Sequence, residues 1–221
     1  MIRHLLVIET STEIGSVAVV RDGLLLSERS FPSRDPLTGE RSEALAPTVT
    51  ECLSAAAITA GELSGVMCGS GPGGFTSLRS AAALSKGLCA ALRIPLFAVP
   101  SLDVLAWTPD LPDGSFVAAL SAGRREWFAA DVTCADGITS VSEASLRSDD
   151  ELRSHASRTG ARLIGPGLDY DVSPRAAAVV GRLSDMIARG PVDLDSWEPA
   201  YGRLAEAQVR WEATHGRPLS I

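Results

Sequence analysis

The sequence predicts an α/β fold built on mixed β-sheets. Three observations point there. Three strand candidates open the chain before any helix. Helices and buried strands then alternate. The later strands of the first half are continuous apolar runs, as suits parallel strands covered on both faces.

Residues 5–8 form such a run. Residues 16–21 and 24–31 are two further strands around Asp22-Gly23, a tight-hairpin signal because glycine tolerates positive φ. Residues 32–40, with Pro32, Pro36 and Gly39, read as a loop. Leu45, Val49, Cys52, Leu53 and Ala56 recur at helical spacing and predict an amphipathic helix over residues 42–57. Pro47 would then lie past the first turn, where it breaks a hydrogen bond or bends the axis. Thr59 to Glu62 has capping-box spacing and predicts one short turn. Residues 66–68 are a buried strand, followed by Gly69-Ser70-Gly71-Pro72-Gly73-Gly74 and a helix over 75–92. That helix buries Leu78, Ala81, Leu88 and Cys89, yet its other faces are small: Ser80, Ala83, Gly87, Ala90 and Ala91. A helix with so little polar surface is packed on more than one side. Residues 96–99 are the next strand. This order is the ribonuclease-H-like layout found in each half of the actin-like nucleotide-binding superfold.

A short helix with Leu102 and Leu105 leads to a boundary over 107–115, marked by Pro109, Pro112 and Gly114. Residues 116–120 and 127–132 resemble a strand pair around Gly123-Arg124-Arg125. Residues 148–158 read as a helix, 162–164 as a strand and 174–188 as a helix. Two lobes are therefore expected, 1–106 and a reduced 107–221, the latter ending in a polar tail anchored by Trp197, Tyr201, Leu204 and Trp211.

Composition removes several functions. The net charge of −7 argues against autonomous nucleic-acid binding, which needs a basic surface. No apolar run approaches the ~20 residues of a membrane span. The start of the chain has only four straight apolar residues before Glu9. A signal peptide needs about 7–15, so a cytoplasmic location is expected. Cys52, Cys68, Cys89 and Cys134 sit in apolar contexts without Cys-x-x-Cys spacing and read as buried reduced thiols. His4, His155 and His215 show no metal-ligand spacing, so no metal is expected.

The glycine run formally matches G-x-G-x-x-G between a strand and a helix, which would suit a nicotinamide enzyme. It follows the fourth strand rather than the first, and no acidic residue stands about 20 positions on. Phe75-Thr76 stands where a Walker A loop needs Lys-Ser/Thr. The simpler reading of Gly69, Gly71, Pro72, Gly73 and Gly74 is a structural turn that lets two backbones approach. Glu9-Thr10-Ser11-Thr12 lies where actin-like ATPases carry Asp-x-Gly-Thr/Ser for phosphate and metal. Glu9 replaces Asp and Ser11 replaces Gly, making a degenerate nucleotide loop. No Ser-His-Asp order or G-x-S-x-G elbow supports a hydrolase or a protease.

These residues together resemble the TsaB (YeaZ) family. The resemblance rests on Ile8-Glu9-Thr10-Ser11-Thr12, on Arg41-Ser42-Glu43-Ala44-Leu45-Ala46-Pro47, on the block from Gly69 to Arg79, on Lys86-Gly87-Leu88 and on Val99-Pro100-Ser101-Leu102. It covers residues 1–105. Fainter landmarks follow at Glu126-Trp127-Phe128, Gly165-Pro166-Gly167 and Glu198-Pro199-Ala200-Tyr201. Arg41, Gly74 with Ser77, and Ser121 depart from the family's usual His, Ser with Gly, and Asp.

The resemblance implies a two-lobed actin-like fold and a part in making tRNA threonylcarbamoyladenosine, beside the anticodon. It implies a non-catalytic subunit that dimerises with and activates the transferase TsaD, with the ATPase TsaE joining them. ATP and metal would belong to those partners, with no cofactor of its own, and tRNA would be met only through the complex. The catalytic paralogue carries His-x-x-x-His metal ligands where Ser101 to Leu105 stand here, and serine and leucine cannot replace two imidazoles. The helices over 42–57 and 75–92 would then form the interface, through Leu45, Val49, Phe75, Arg79, Ala83, Gly87 and Ala91. Burial within the monomer is the alternative account of their apolar surface, and self-association as a homodimer another use of it. A stand-alone actin-like ATPase or phosphotransferase is the competing function.

Overall fold

The computed structural model describes residues 2–34, 38, 43–107 and 111–201. Arg41, Ser42, Pro109, Leu204, Trp211 and His215 lie outside them.

The first sheet has strand order β3-β2-β1-β4-β5, with β1 at His4–Glu9, β2 at Ile14–Arg21, β3 at Leu24–Pro32, β4 at Gly65–Gly69 and β5 at Leu96–Val99. β1, β4 and β5 run parallel, while β1–β2 and β2–β3 are antiparallel. Asp22 and Gly23 both take positive φ, 49° and 80°, as the two-residue hairpin demands. Registers of Ile8 with Cys68 and Gly69 with Val99 bring the C-terminal ends of the three parallel strands together. In an open α/β sheet that edge is where ligands bind.

Side-chain alternation decides the layers. Leu6, Ile8, Val17 and Val19 face α1 (Leu45–Ala55) and α2 (Phe75–Leu92), meeting Val49, Cys52, Ala81 and Cys89. Leu5, Val7, Ala18 and Val20 face the other way, against Ala176, Val179, Leu183 and Met186. The segment from Ala176 thus returns to the first sheet, and the sheet of the second lobe lies wholly between Gly114 and Ile164. That sheet has order β10-β6-β7-β8, from β6 (Gly114–Gly123), β7 (Glu126–Ala135), β8 (Ile138–Val141) and β10 (Arg162–Ile164), with β9 (Ser145–Ser148) also on β7. It packs α4 (Asp149–Thr159) on one face through Leu152 and Ala156. Its other face meets α3 (Ser101–Ala106) through Leu102 and Leu105. Val104 of α3 belongs to the first lobe's core, so this one helix joins the lobes.

The predicted α/β class with mixed sheets is what the structure has. Some boundaries differ, for physical reasons. α1 starts at Leu45, three residues later than predicted, so Pro47 falls in the first turn, where its missing N–H had no partner to lose. The helix predicted over 174–188 is a 3₁₀ segment, Ala176–Arg182, followed by α5, Leu183–Ala188. Gly181 and the β-branched pair Val179–Val180 disfavour a regular α-helix there. β8 and β9 went unpredicted because they are four residues each, with polar residues between the exposed Ile138 and Leu146.

α4 shows a capping box. Ser148 Oγ accepts from Glu151 N at 3.3 Å, and the Glu151 carboxylate accepts from Ser148 N at 2.8 Å. Ser148→Ala is expected to cost about 1 kcal/mol, lowering the melting temperature by about 3 °C in a thermal scan.

Candidate functional site

Three loops meet at the shared strand edge, and Glu9 sits at their centre. Glu9 is 2% exposed. Its Oε1 accepts from Ser11 N at 2.6 Å, and its Oε2 accepts from Ser101 Oγ at 2.8 Å. Ser101 Oγ in turn accepts from Gly71 N at 3.2 Å, while Ser101 N donates to Gly71 O at 2.9 Å. Gly74 N donates to Ser11 O at 2.8 Å, and Thr10 Oγ1 to Ser77 O at 3.1 Å. The loop after β1, the glycine turn after β4 and the start of α3 are thereby tied into one hydrogen-bonded unit. Burial pushes the Glu9 carboxyl above its ordinary value, and bonds from Ser11 and Ser101 only partly oppose that.

The glycine turn has a steric reason at Gly69. A Cβ there would collide with the Glu9 carboxylate. The loop can close over a buried acid only because the backbone at 69 carries no side chain. Ser11 rests against Gly73, so the loop after β1 packs on the glycine turn. Ser11, Thr12, Phe75, Thr76, Leu120 and Ser121 are among the residues that line a cleft of about 500 Å³ between the lobes.

The two positions that the resemblance sets against metal ligands, Ser101 and Leu105, are both committed to other contacts. Ser101 is fully buried and bonded to Glu9, and Leu105 is fully buried in the second lobe's core. Among the described residues no three His, Cys, Asp or Glu side chains cluster to hold a metal. His4 instead bridges Arg21 Nε and Glu62 O, and His155 meets Asp131 at 2.7 Å. The four cysteines are free and buried; burial pushes the Cys68 thiol up to about 12 and Cys89 to about 11.

The sequence-predicted interface residues divide. Ala83, Gly87 and Ala91 are exposed along α2, and an added Cβ at Gly87 would meet nothing within 4 Å. Arg79 is exposed and Phe75 half-buried at the start of the same helix. Val49 is 6% exposed and packs in the chain's own core, with Leu45 half-buried against it. Val49 therefore offers no surface, and α1 presents Ala46, Thr50 and Ser54 instead.

Sequence reasoning missed a strap. Residues 192–201 run along α2 and over the glycine turn. Val192 N donates to Leu96 O, Lys86 Nζ to Trp197 O at 2.8 Å, and Ala200 N to Ser70 O at 2.7 Å. Tyr201 ends it on Phe75, with ring centroids 4.6 Å apart. Its signals were the anchors Trp197 and Tyr201 in a polar stretch and a faint landmark at Glu198 to Tyr201.

Glu9→Gln isolates the buried charge. The carboxyl binds its proton more tightly folded than unfolded, so its ionisation removes stability as pH rises from about 4.5. Gln keeps an acceptor for Ser11 N and adds a donor toward Ser101. Relative to wild type, its urea midpoint is expected to improve as pH rises above about 4.5, the gain levelling off once Glu9 ionises in the folded protein. A difference that stays constant as pH rises would contradict a buried, titrating Glu9.

Residues 38–152, more than half of the chain, match the family described as TsaD: tRNA N6-adenosine threonylcarbamoyltransferase. An uncharacterised protein of Mycobacterium tuberculosis is 34% identical over 146 residues, covering 65% of this chain and 64% of that protein. The tRNA threonylcarbamoyladenosine biosynthesis protein TsaB of Bacillus subtilis is 25% identical over 231 residues, covering 94% of this chain and 97% of its own length. YeaZ from Pseudomonas aeruginosa shares the fold, with a TM-score of 0.72 at 23% identity over 90% of this chain and 99% of that one. With the TsaD-type domain over more than half of the chain, one TsaB-named relative across nearly its full length and the YeaZ architecture in agreement, this chain belongs to the TsaB (YeaZ) family.

Proposed function

We propose that this chain is the non-catalytic partner that dimerises with the transferase TsaD and activates it in tRNA N6-threonylcarbamoyladenosine biosynthesis, with TsaE as a further member. The observation that carries this reading is the Glu9–Ser101 bond. It commits one of the two positions that the resemblance sets against metal ligands to a buried internal contact, Leu105 fills the other with a core side chain, and the small-residue side of α2 stays exposed for another helix. Small side chains allow close helix approach, and such contacts are worth most when they exclude water over a broad face. The pathway follows from relatives named as tRNA threonylcarbamoyladenosine biosynthesis proteins.

ATP and metal chemistry belong, in this reading, to TsaD and TsaE. The purified chain is expected to show no saturable ATP turnover, which a stand-alone ATPase would show. With a net charge of −7, it is also expected to bind tRNA weakly at physiological salt, the partners supplying the basic surface. Filter binding across a salt series checks this; tight, salt-sensitive binding by the isolated chain would contradict it. Co-purification with TsaD from the same organism tests the heterodimer itself.

A further inference from the structure

We propose that Arg79 is a preorganised receptor for a carboxylate, an Asp or Glu side chain on the TsaD surface that docks against α2; this rests on the interface reading above. The Arg79 guanidinium carbon lies 4.0 Å from the Phe75 ring centroid and 5.3 Å from that of Tyr201. Its Nε donates to Tyr201 Oη at 3.4 Å. The cation is thus held by two aromatic rings, one of them delivered from 122 residues away by the strap. Among the described residues, the hydrogen bond of the Arg79 side chain is the one from Nε to Tyr201 Oη, which leaves the terminal nitrogens without an acceptor there. Side-chain freedom is lost before any partner arrives, which lowers the cost of binding.

The chemistry of the ligand follows from the donor. A planar guanidinium matches a carboxylate through two parallel hydrogen bonds from its terminal amino groups. Arg79 stands four and eight residues before Ala83 and Gly87, on the same exposed side of the helix. No second free cation accompanies it on α2, because the Lys86 ammonium is bonded to Trp197 O. A nucleic acid would need several cations together, on a chain less acidic than this one. A single acidic side chain needs only one.

The test is titration of full-length TsaD with wild-type chain and with Arg79→Met, Arg79→Lys, Tyr201→Phe and Gly87→Arg, at several salt concentrations. Arg79→Met is expected to weaken the heterodimer about 30-fold and to flatten its salt dependence. Arg79→Lys keeps the charge but not the paired geometry, and is expected to restore little. Tyr201→Phe keeps the ring and loses only the hydroxyl, for a loss of about threefold. Wild-type affinity for both Arg79 variants, with Gly87→Arg still defective, would overturn the carboxylate receptor and leave the interface standing. Wild-type affinity for Gly87→Arg would overturn the interface, and this proposal with it. An intact heterodimer that loses tRNA affinity on Arg79→Met would identify a phosphate as the ligand and overturn the carboxylate.

Discussion

Gly87→Arg is expected to leave the monomer at least as stable as wild type while weakening the proposed association with TsaD by more than about a hundredfold. The two halves of that result have separate causes. Gly87 lies in the middle of α2, is exposed, and has nothing within 4 Å of where a Cβ would stand. Replacing a mid-helix glycine recovers about 0.5–1 kcal/mol of helix propensity, so the melting temperature should hold or rise by a few degrees. A partner helix packed against Ala83, Gly87 and Ala91 has no room for a guanidinium. The long side chain would hold the backbones apart and strand a charge in a dry contact. Thermal melting together with a TsaD titration reads both effects. A folded variant that binds normally would place the interface elsewhere.

Gly69→Ala is expected to cost about 3 kcal/mol, lowering the melting temperature by roughly 6–12 °C. The new methyl would meet the Glu9 carboxylate, and that group is buried and held by Ser11 and Ser101. A flexible surface side chain would swing aside; this one cannot move without breaking the unit that joins three loops. Coupling distinguishes this cause from a general loss of glycine. In a Glu9→Ala background the collision disappears, so the double variant should lose much less than the two single losses combined. Simple additivity would show that the methyl clashes with something other than Glu9.

The first lobe was legible in the sequence because its signals are local. Asp22-Gly23 marks its hairpin, and the apolar runs ending at Ile8, Cys68 and Val99 mark its parallel strands. α2 matched at both ends: the glycine turn precedes Phe75, and Arg93 closes the helix in a left-handed conformation. The site was less legible because its bonds span long sequence distances. Ser101 and Glu9 are 92 residues apart, and Arg79 and Tyr201 are 122 apart. Ser101 was visible only as a place where histidine is missing. Its bond to Glu9 became visible once the strands were in register. Val49 failed as an interface residue for a related reason. Helical periodicity shows that one side of α1 is apolar, but not that the chain's own sheet covers it. The strap left little trace: its bonds with Lys86 and Ser70 use backbone atoms of Trp197 and Ala200, and its side-chain anchors, Trp197 and Tyr201, stand apart in a polar stretch without periodicity.

Reconstitution of tRNA modification from purified components tests the central claim most directly. The account predicts that this chain alone transfers no threonylcarbamoyl group, that TsaD with TsaE does so poorly, and that adding the chain restores the reaction in proportion to heterodimer formed. Transfer by the isolated chain, or full activity of TsaD and TsaE without it, would contradict the account.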